Sequence, residues 1–242
     1  MKKEPILVIA SMEDVELNYL KKNLKNMKIE KNNICTFYEG TMFDKDVVLC
    51  FSNVGTINAA ASITLSVKKY TPKVIINEGI AGGIGENIHV GDIAIGTEVV
   101  HINSLESSKR GIGEGTNLDD YEITTFIYGE DNRLICPKSD TKLLELAKKV
   151  ANEVSETTYF GAVGSGDIWN KEADRLLHLN KKYGIICEEM ESISIYKIAD
   201  LYAIPVIAIK VISDNAILNE EYNRKVGIKS QLFTERLIKE IK

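Results

Sequence analysis

The sequence predicts an α/β fold: a single domain over residues 1–242 with three layers, α/β/α, around a central, mostly parallel mixed sheet. Three observations carry this. Short β-rich runs alternate with longer amphipathic stretches, the order that builds such sheets. The runs "KVIINEG" (73–79) and "PVIAIKVIS" (205–213) are nearly continuous in apolar residues, as strands covered on both faces must be. Apolar residues make up 44% of the chain, enough for a substantial core, and no repeat, low-complexity tract or linker marks a boundary.

Along the chain, "PILVIAS" (5–11) is expected to be the first strand, followed by a helix over 13–27 on the stripe Leu17, Leu20, Leu24. "ICTFYEG" (34–40) and "DVVLCFS" (46–52), separated by a polar turn, read as an antiparallel hairpin. A helix over 56–70 precedes the strands "KVIINEG" and "DIAIGTEVVHI" (92–102). From Asn103 to Thr125 the chain is polar and Gly-rich, and such long loops tend to be functional or disordered. Helices over 140–153, 171–182, 190–203 and 219–241 then alternate with the strands "TTYFGAVGS" (157–165), "YGIICEE" (183–189) and "PVIAIKVIS".

Composition excludes several classes of function. A net charge of -5, with Lys and Arg scattered singly, offers no stripe that would track nucleic acid or an anionic membrane. No window approaches the apolar length of a membrane span. The four cysteines have neither CxxC spacing nor disulfide density and suit a reduced, cytoplasmic protein. His89, His101 and His178 form no pair and there is no Cys/His cluster, so no metal site is expected. No cofactor is expected either. The stretch after the first strand is acidic and "GIAGGIG" has neither GxGxxG nor P-loop spacing.

In open α/β sheets ligands sit outside the carboxyl ends of the strands. Those ends carry Ser11 to Glu16, Ser52 to Thr56, Asn77 to Gly83, Gly164 to Asn170, Glu188 to Glu191, and Ser213 to Asn215. Singly, each has a plain structural use: Ser11, Asp14 or Asp214 as a helix cap, Gly79, Gly82 and Gly83 as a turn, Trp169 as core. Jointly, they outline an acid-lined site that repels phosphate and suits a neutral ligand with hydroxyls and ring nitrogens, such as a nucleoside.

The ordered motifs "VIASMED", "SNVGTINAA", "KVIINEGIAGGI", "VGDIAI", "CPKSD", "GSGDIWN", "CEEMES" and "IKVISDNA" resemble the nucleoside phosphorylase superfamily. Within it they resemble the 5'-methylthioadenosine/S-adenosylhomocysteine nucleosidases, over nearly the whole chain. The resemblance implies that Met190 packs the sugar face, that Glu191 holds the 2' and 3' hydroxyls, and that Glu189 is a neighbouring site carboxylate. It gives Glu188 no role, and solvent exposure is expected for it. Asp214 is the implied acid to purine N7, Trp169 the ring on the base, and the backbone at Asn170 faces the purine edge. Val54, Ile80, Gly82 and Ser213, at the same strand ends, are expected to line the site. A homodimer is implied too, since relatives complete the site across an interface.

The chemistry supports these assignments independently. N-glycosidic cleavage passes through a sugar cation, which carboxylates stabilise, and a purine leaves readily only when N7 is protonated. For Asp214 to act as that acid near neutral pH, burial must raise its pKa. The family's first strand ends "MEEEV", and its third glutamate, the base for water, falls without a gap on Val15. A one-residue shift aligns the apolar stripe and puts Glu16 there. Glu13 is the alternative, or all three acids form a solvated first turn. No arginine precedes Arg110 to bind phosphate, which favours a purine nucleoside N-ribohydrolase using water. A phosphorylase and a nucleoside-binding protein without turnover are the rival readings.

Overall fold

The structure is a computed structural model that describes residues 4–115, 120–124 and 136–242. The strands are β1 (Ile6–Ala10), β2 (Lys25–Lys31), β3 (Thr36–Met42), β4 (Lys45–Phe51), β5 (Val74–Gly83), β6 (Ile93–His101), β7 (Leu105–Ser107), β8 (Tyr121–Ile123), β9 (Thr158–Ser165), β10 (Ile185–Glu189) and β11 (Val206–Asp214). The helices are α1 (Asn18–Asn23), α2 (Thr56–Tyr70), α3 (Thr141–Ala151), α4 (Ala173–Tyr183), α5 (Ser192–Leu201) and α6 (Gly227–Glu240).

Nine strands form one sheet in the order β10-β9-β6-β11-β5-β1-β4-β3-β2. Five of its nine pairings are parallel and four antiparallel, so the parallel majority is narrow. The ninth pairing joins β10 back to the far end of β5, with Cys187 opposite Gly83 and Glu188 opposite Gly82. Strands β5, β11, β6, β9 and β10 therefore close into a ring, which brings the end of β10 beside those of β5 and β11.

Side chains alternate across a strand, and β1 shows the result. Ile6, Val8 and Ala10 pack with Leu143 of α3 and Phe233 and Leu237 of α6, whereas Leu7 and Ile9 pack with Ile63 of α2 and Ile195 of α5. At roughly 1.5–3 kcal/mol for each fully buried aliphatic side chain, these two faces hold the three layers together.

Two helices are shorter than the periodicity suggests. The helix over 13–27 is a π-helical turn at Glu13–Leu17 followed by α1, and from Lys25 the chain is β2. The apolar stripe ends at Leu24, and the exposed residues after it gain backbone partners by pairing with β3. The lysines of this edge strand discourage pairing with another chain. The helix over 219–241 begins only at Gly227, because 215–226 form a bridged turn and a 3₁₀ turn at Arg224–Val226. Gly227 permits a close approach: a Cβ there would lie 2.6 Å from the Val15 carbonyl oxygen. Within the stretch Asn103 to Thr125, β7 and β8 pair as a small separate ribbon; 116–119 and Thr125 lie outside the described residues.

Candidate active site

A cavity of about 310 Å³ opens at the carboxyl ends of β1, β5, β10 and β11. Its walls include Glu16, Val54, Ile80, Gly82, Trp169, Glu189, Met190, Glu191, Ser213 and Asp214, side chains from six separate segments. Each of these was expected there from the sequence. Asn170 is not on the wall: it is buried behind it, and its backbone N–H donates to Glu188 Oε1 at 3.0 Å.

The π-helical turn explains which acid reaches the cavity. Its i→i+5 pattern takes one residue more than an α turn, so Val15 packs toward Gly227 while Glu16 swings inward. Glu16 is 2% exposed. Its Oε2 accepts from the backbone N–H of Ser11 (2.8 Å) and Met12 (2.7 Å) and from the Ser11 hydroxyl (3.1 Å), and its Oε1 accepts from the Ile80 N–H (3.0 Å). Burial raises its pKa, against the opposing pull of the Lys210 charge and these N–H groups. Glu13, the alternative base, instead bonds Lys21 and Tyr38 away from these donors.

Glu191 precedes α5, and its Oε1 accepts the Gly55 N–H at 2.8 Å, at the start of α2. Asp167 accepts the next N–H, from Thr56, at 2.7 Å. The chain's own carboxylates thus fill the anion seat that a helix N-terminus presents. Burial, then the neighbouring Glu189 charge, pushes the Glu191 carboxyl up.

Glu189 is held differently. Its carboxylate accepts from the Ser192 N–H (3.0 Å) and lies 2.9 Å from Lys210 Nζ, with both side chains buried. Burial opposes its charge, but Lys210, the Ser165 hydroxyl and the Ser192 N–H together outweigh burial and keep the pKa low. Lys210 is therefore the buried counter-ion of this acid.

At the opposite end Asp214 is 9% exposed, its Oδ1 accepting from the Ser213 hydroxyl (2.7 Å) and its Oδ2 from Trp169 Nε1 (3.3 Å). Trp169 meets Tyr222 edge to face, centroids 5.6 Å apart, and its ring is half exposed, so it is a platform rather than core.

Three participants were not foreseen. Glu188 is buried, 6% exposed, where solvent exposure was expected; it lies on a strand covered on both faces, and that cover overrides the preference of a charge for water. Tyr222 lies in a segment that had been assigned to helix. Glu78 sits behind Glu16, 1% exposed, with neither oxygen hydrogen-bonded among the described residues. It belongs to the strand end "INEG", whose single glutamate in an apolar run was a signal the sequence did contain.

A cavity walled by acids, an aromatic platform and small residues at the strand ends of a ring-closed α/β sheet defines a site for an uncharged, hydroxyl-bearing heterocyclic ligand. The profile of the phosphorylase superfamily matches residues 5–241, and the chain belongs to that superfamily and, within it, to the 5'-methylthioadenosine/S-adenosylhomocysteine nucleosidase family. It is 30% identical to the nucleosidase of that name from Oceanobacillus iheyensis over 213 residues, 86% of this chain and 85% of the relative. Among solved structures, the nucleosidase of Neisseria meningitidis in complex with methylthio-immucillin-A has a TM-score of 0.81 at 24% identity, covering 98% of this chain and 100% of the other. Futalosine hydrolase of Helicobacter pylori has a TM-score of 0.82 at 19% identity, covering 98% of each chain.

Proposed function

We propose that this protein hydrolyses the N-glycosidic bond of adenine nucleosides of the 5'-methylthioadenosine/S-adenosylhomocysteine type. The observation that carries the reading is that Glu16, Glu191 and Asp214 line one cavity. Glu191 and Met190 hold the ribose, Trp169 and Tyr222 flank the base, and Asp214 donates its proton to N7. As the bond from C1' to N9 breaks, its electron pair leaves with the base. Water attacks C1' and gives a proton to Glu16. The ionised Glu189 stabilises the positive charge that develops on the sugar.

Water rather than phosphate is supported by the wall itself, which among the described residues carries no Lys, Arg or His. The N–H groups at the start of α2 are already taken by Glu191 and Asp167. Incubation with 5'-methylthioadenosine, S-adenosylhomocysteine and adenosine, with and without phosphate, tests the reading. Free adenine and a free reducing sugar are expected at a rate phosphate does not change; strict dependence on phosphate would make the protein a phosphorylase, and tight binding without turnover a binding protein.

The same reading takes the protein as a cytoplasmic homodimer forming one domain. Its four cysteines are free, and no helix among the described residues is long and apolar enough to cross a membrane. Val54 on the cavity wall and Ile57 beside it are exposed, Ile57 by 82%, and a second copy laid there would cover both and close the site. A monomeric mass by light scattering would refute the dimer.

A further inference from the structure

The strand β10 places on the cavity wall a carboxyl group that the steps above leave idle. Glu188 Oε1 accepts the Asn170 N–H at 3.0 Å, but Oε2 is buried without a hydrogen-bond partner among the described residues. Buried polar atoms are rarely left unpaired, and because Glu188 lines the cavity, a turn of its carboxyl lets a ligand complete the missing bond.

Its position says which part of the ligand. Glu188 pairs in register with Gly82 of β5. The point where a Cβ on Gly82 would stand is 3.8 Å from Glu188 Cγ and 3.7 Å from Asp214 Oδ2. The two carboxyls therefore stand side by side over bare backbone, at the end of the cavity that Trp169 and Tyr222 flank. On a purine, the positions following N7 along the edge are C6 with its substituent and then N1. A base whose N7 meets Asp214 turns its N1 toward the neighbouring carboxyl.

Resting on the reading of this cavity as a purine nucleoside site, we propose that Glu188 reads N1 of the base and that its protonation state selects between 6-amino and 6-oxo purines. N1 of adenine is a lone-pair acceptor and needs the O–H of a carboxylic acid. N1 of hypoxanthine carries a hydrogen and needs a carboxylate. Glu188 is poised between the two forms, because burial pushes its carboxyl up to about 7. The Asn170 N–H and the Arg175 charge on α4 pull it down, and Asp214 on β11, uncharged while it holds the proton destined for N7, pushes it further up once ionised. The flanking strands oppose only Gly82 and Gly164 to it, and its neighbour Cys187 holds a buried thiol whose pKa is pushed up to about 12. Among the described residues, these are the groups that set its state.

The test compares kcat/KM for adenosine and inosine, and for their 5'-methylthio counterparts, from about pH 5.5 to pH 8, in the wild type, Glu188→Gln and Glu188→Leu. In the wild type the amino-to-oxo ratio is expected to fall about tenfold or more between about pH 6 and pH 8, as the acid form gives way. In Glu188→Gln the Asn170 N–H holds the amide oxygen and leaves the NH2 group for the base, so this variant is expected to hold a flat ratio that favours the 6-amino base. Glu188→Leu should be flat with a weakened preference. A wild-type ratio independent of pH overturns the proposal even if both variants fail to fold, and so does a Gln variant that keeps the wild-type slope. Calorimetric binding of free adenine and hypoxanthine yields the same ratio without turnover. Absent cleavage with a pH-dependent binding ratio would thus refute the hydrolase and support the role of Glu188, whereas cleavage with a flat ratio would do the reverse.

Discussion

Lys210 Nζ lies 2.9 Å from Glu189 Oε2, and both side chains are almost wholly buried. Such a pair need not stabilise a fold relative to apolar residues, but removing one partner leaves the other charge stranded. Lys210→Met is therefore expected to lower stability by about 3–5 kcal/mol. Adding Glu189→Gln should restore much of that loss. Urea unfolding at neutral pH reads both. A loss in the single variant no greater than that of an ordinary surface substitution would mean that water reaches the pair.

Gly79 sits where the end of Glu16 needs room. A Cβ added there would stand 2.7 Å from Glu16 Oε1, closer than atoms approach without one of them moving. Because Glu16 is fixed by four donors, the shift must break some of these bonds and misaim the carboxylate. Gly79→Ala is expected to reduce kcat by about 10²-fold, the usual consequence of a displacement near 1 Å in a catalytic group. KM should change little. Steady-state kinetics with a thermal melt separates this from unfolding, and an unchanged kcat would remove Glu16 from the reaction.

Glu78 makes stability depend on pH. Burial, then the Glu16 charge, holds its folded-state pKa well above the carboxylate range. Below the unfolded pKa both states carry the proton, and the folded chain keeps its full stability. As pH rises past that point the unfolded chain ionises while the folded chain does not, so stability falls by up to about 1.4 kcal/mol per pH unit until the folded pKa is reached. Glu78→Gln cannot ionise and should gain on the wild type progressively with rising pH. Unfolding midpoints at a series of pH values check this; a difference that shrinks as pH rises would mean that Glu78 is ionised in the folded state.

The strand ends and their acids were legible because buried strands write themselves as apolar runs and the polar residues that end them stand out. "IICEEMES" and "IKVISD" marked Glu189, Met190, Glu191 and Asp214 in this way. Lys25 to Lys31 was not legible, since its strand character comes from pairing with β3 and not from its own pattern. Glu16 could be chosen over Val15 only by the alignment of an apolar stripe, and the local reason, a π-helical turn, leaves no mark in composition. Glu188 was misplaced because charge was read as exposure. Its burial follows from the ring that joins β10 to β5, a contact between residues about a hundred positions apart.

Asp214 offers the sharpest test of the chemistry. Its Oδ2 accepts from Trp169 Nε1 and its Oδ1 from the Ser213 hydroxyl, bonds that an asparagine carbonyl can keep in part. An amide can also hydrogen-bond N7, but it has no proton to transfer. Asp214→Asn should therefore bind substrate nearly as the wild type does and lose about 10²- to 10⁴-fold in kcat, the range expected for a general acid. The loss should be specific to leaving groups that need protonation. With 4-nitrophenyl riboside, whose phenolate departs unaided, the variant should recover most of the wild-type rate. An equal loss on both substrates would mean that Asp214 holds the pocket in shape and donates no proton.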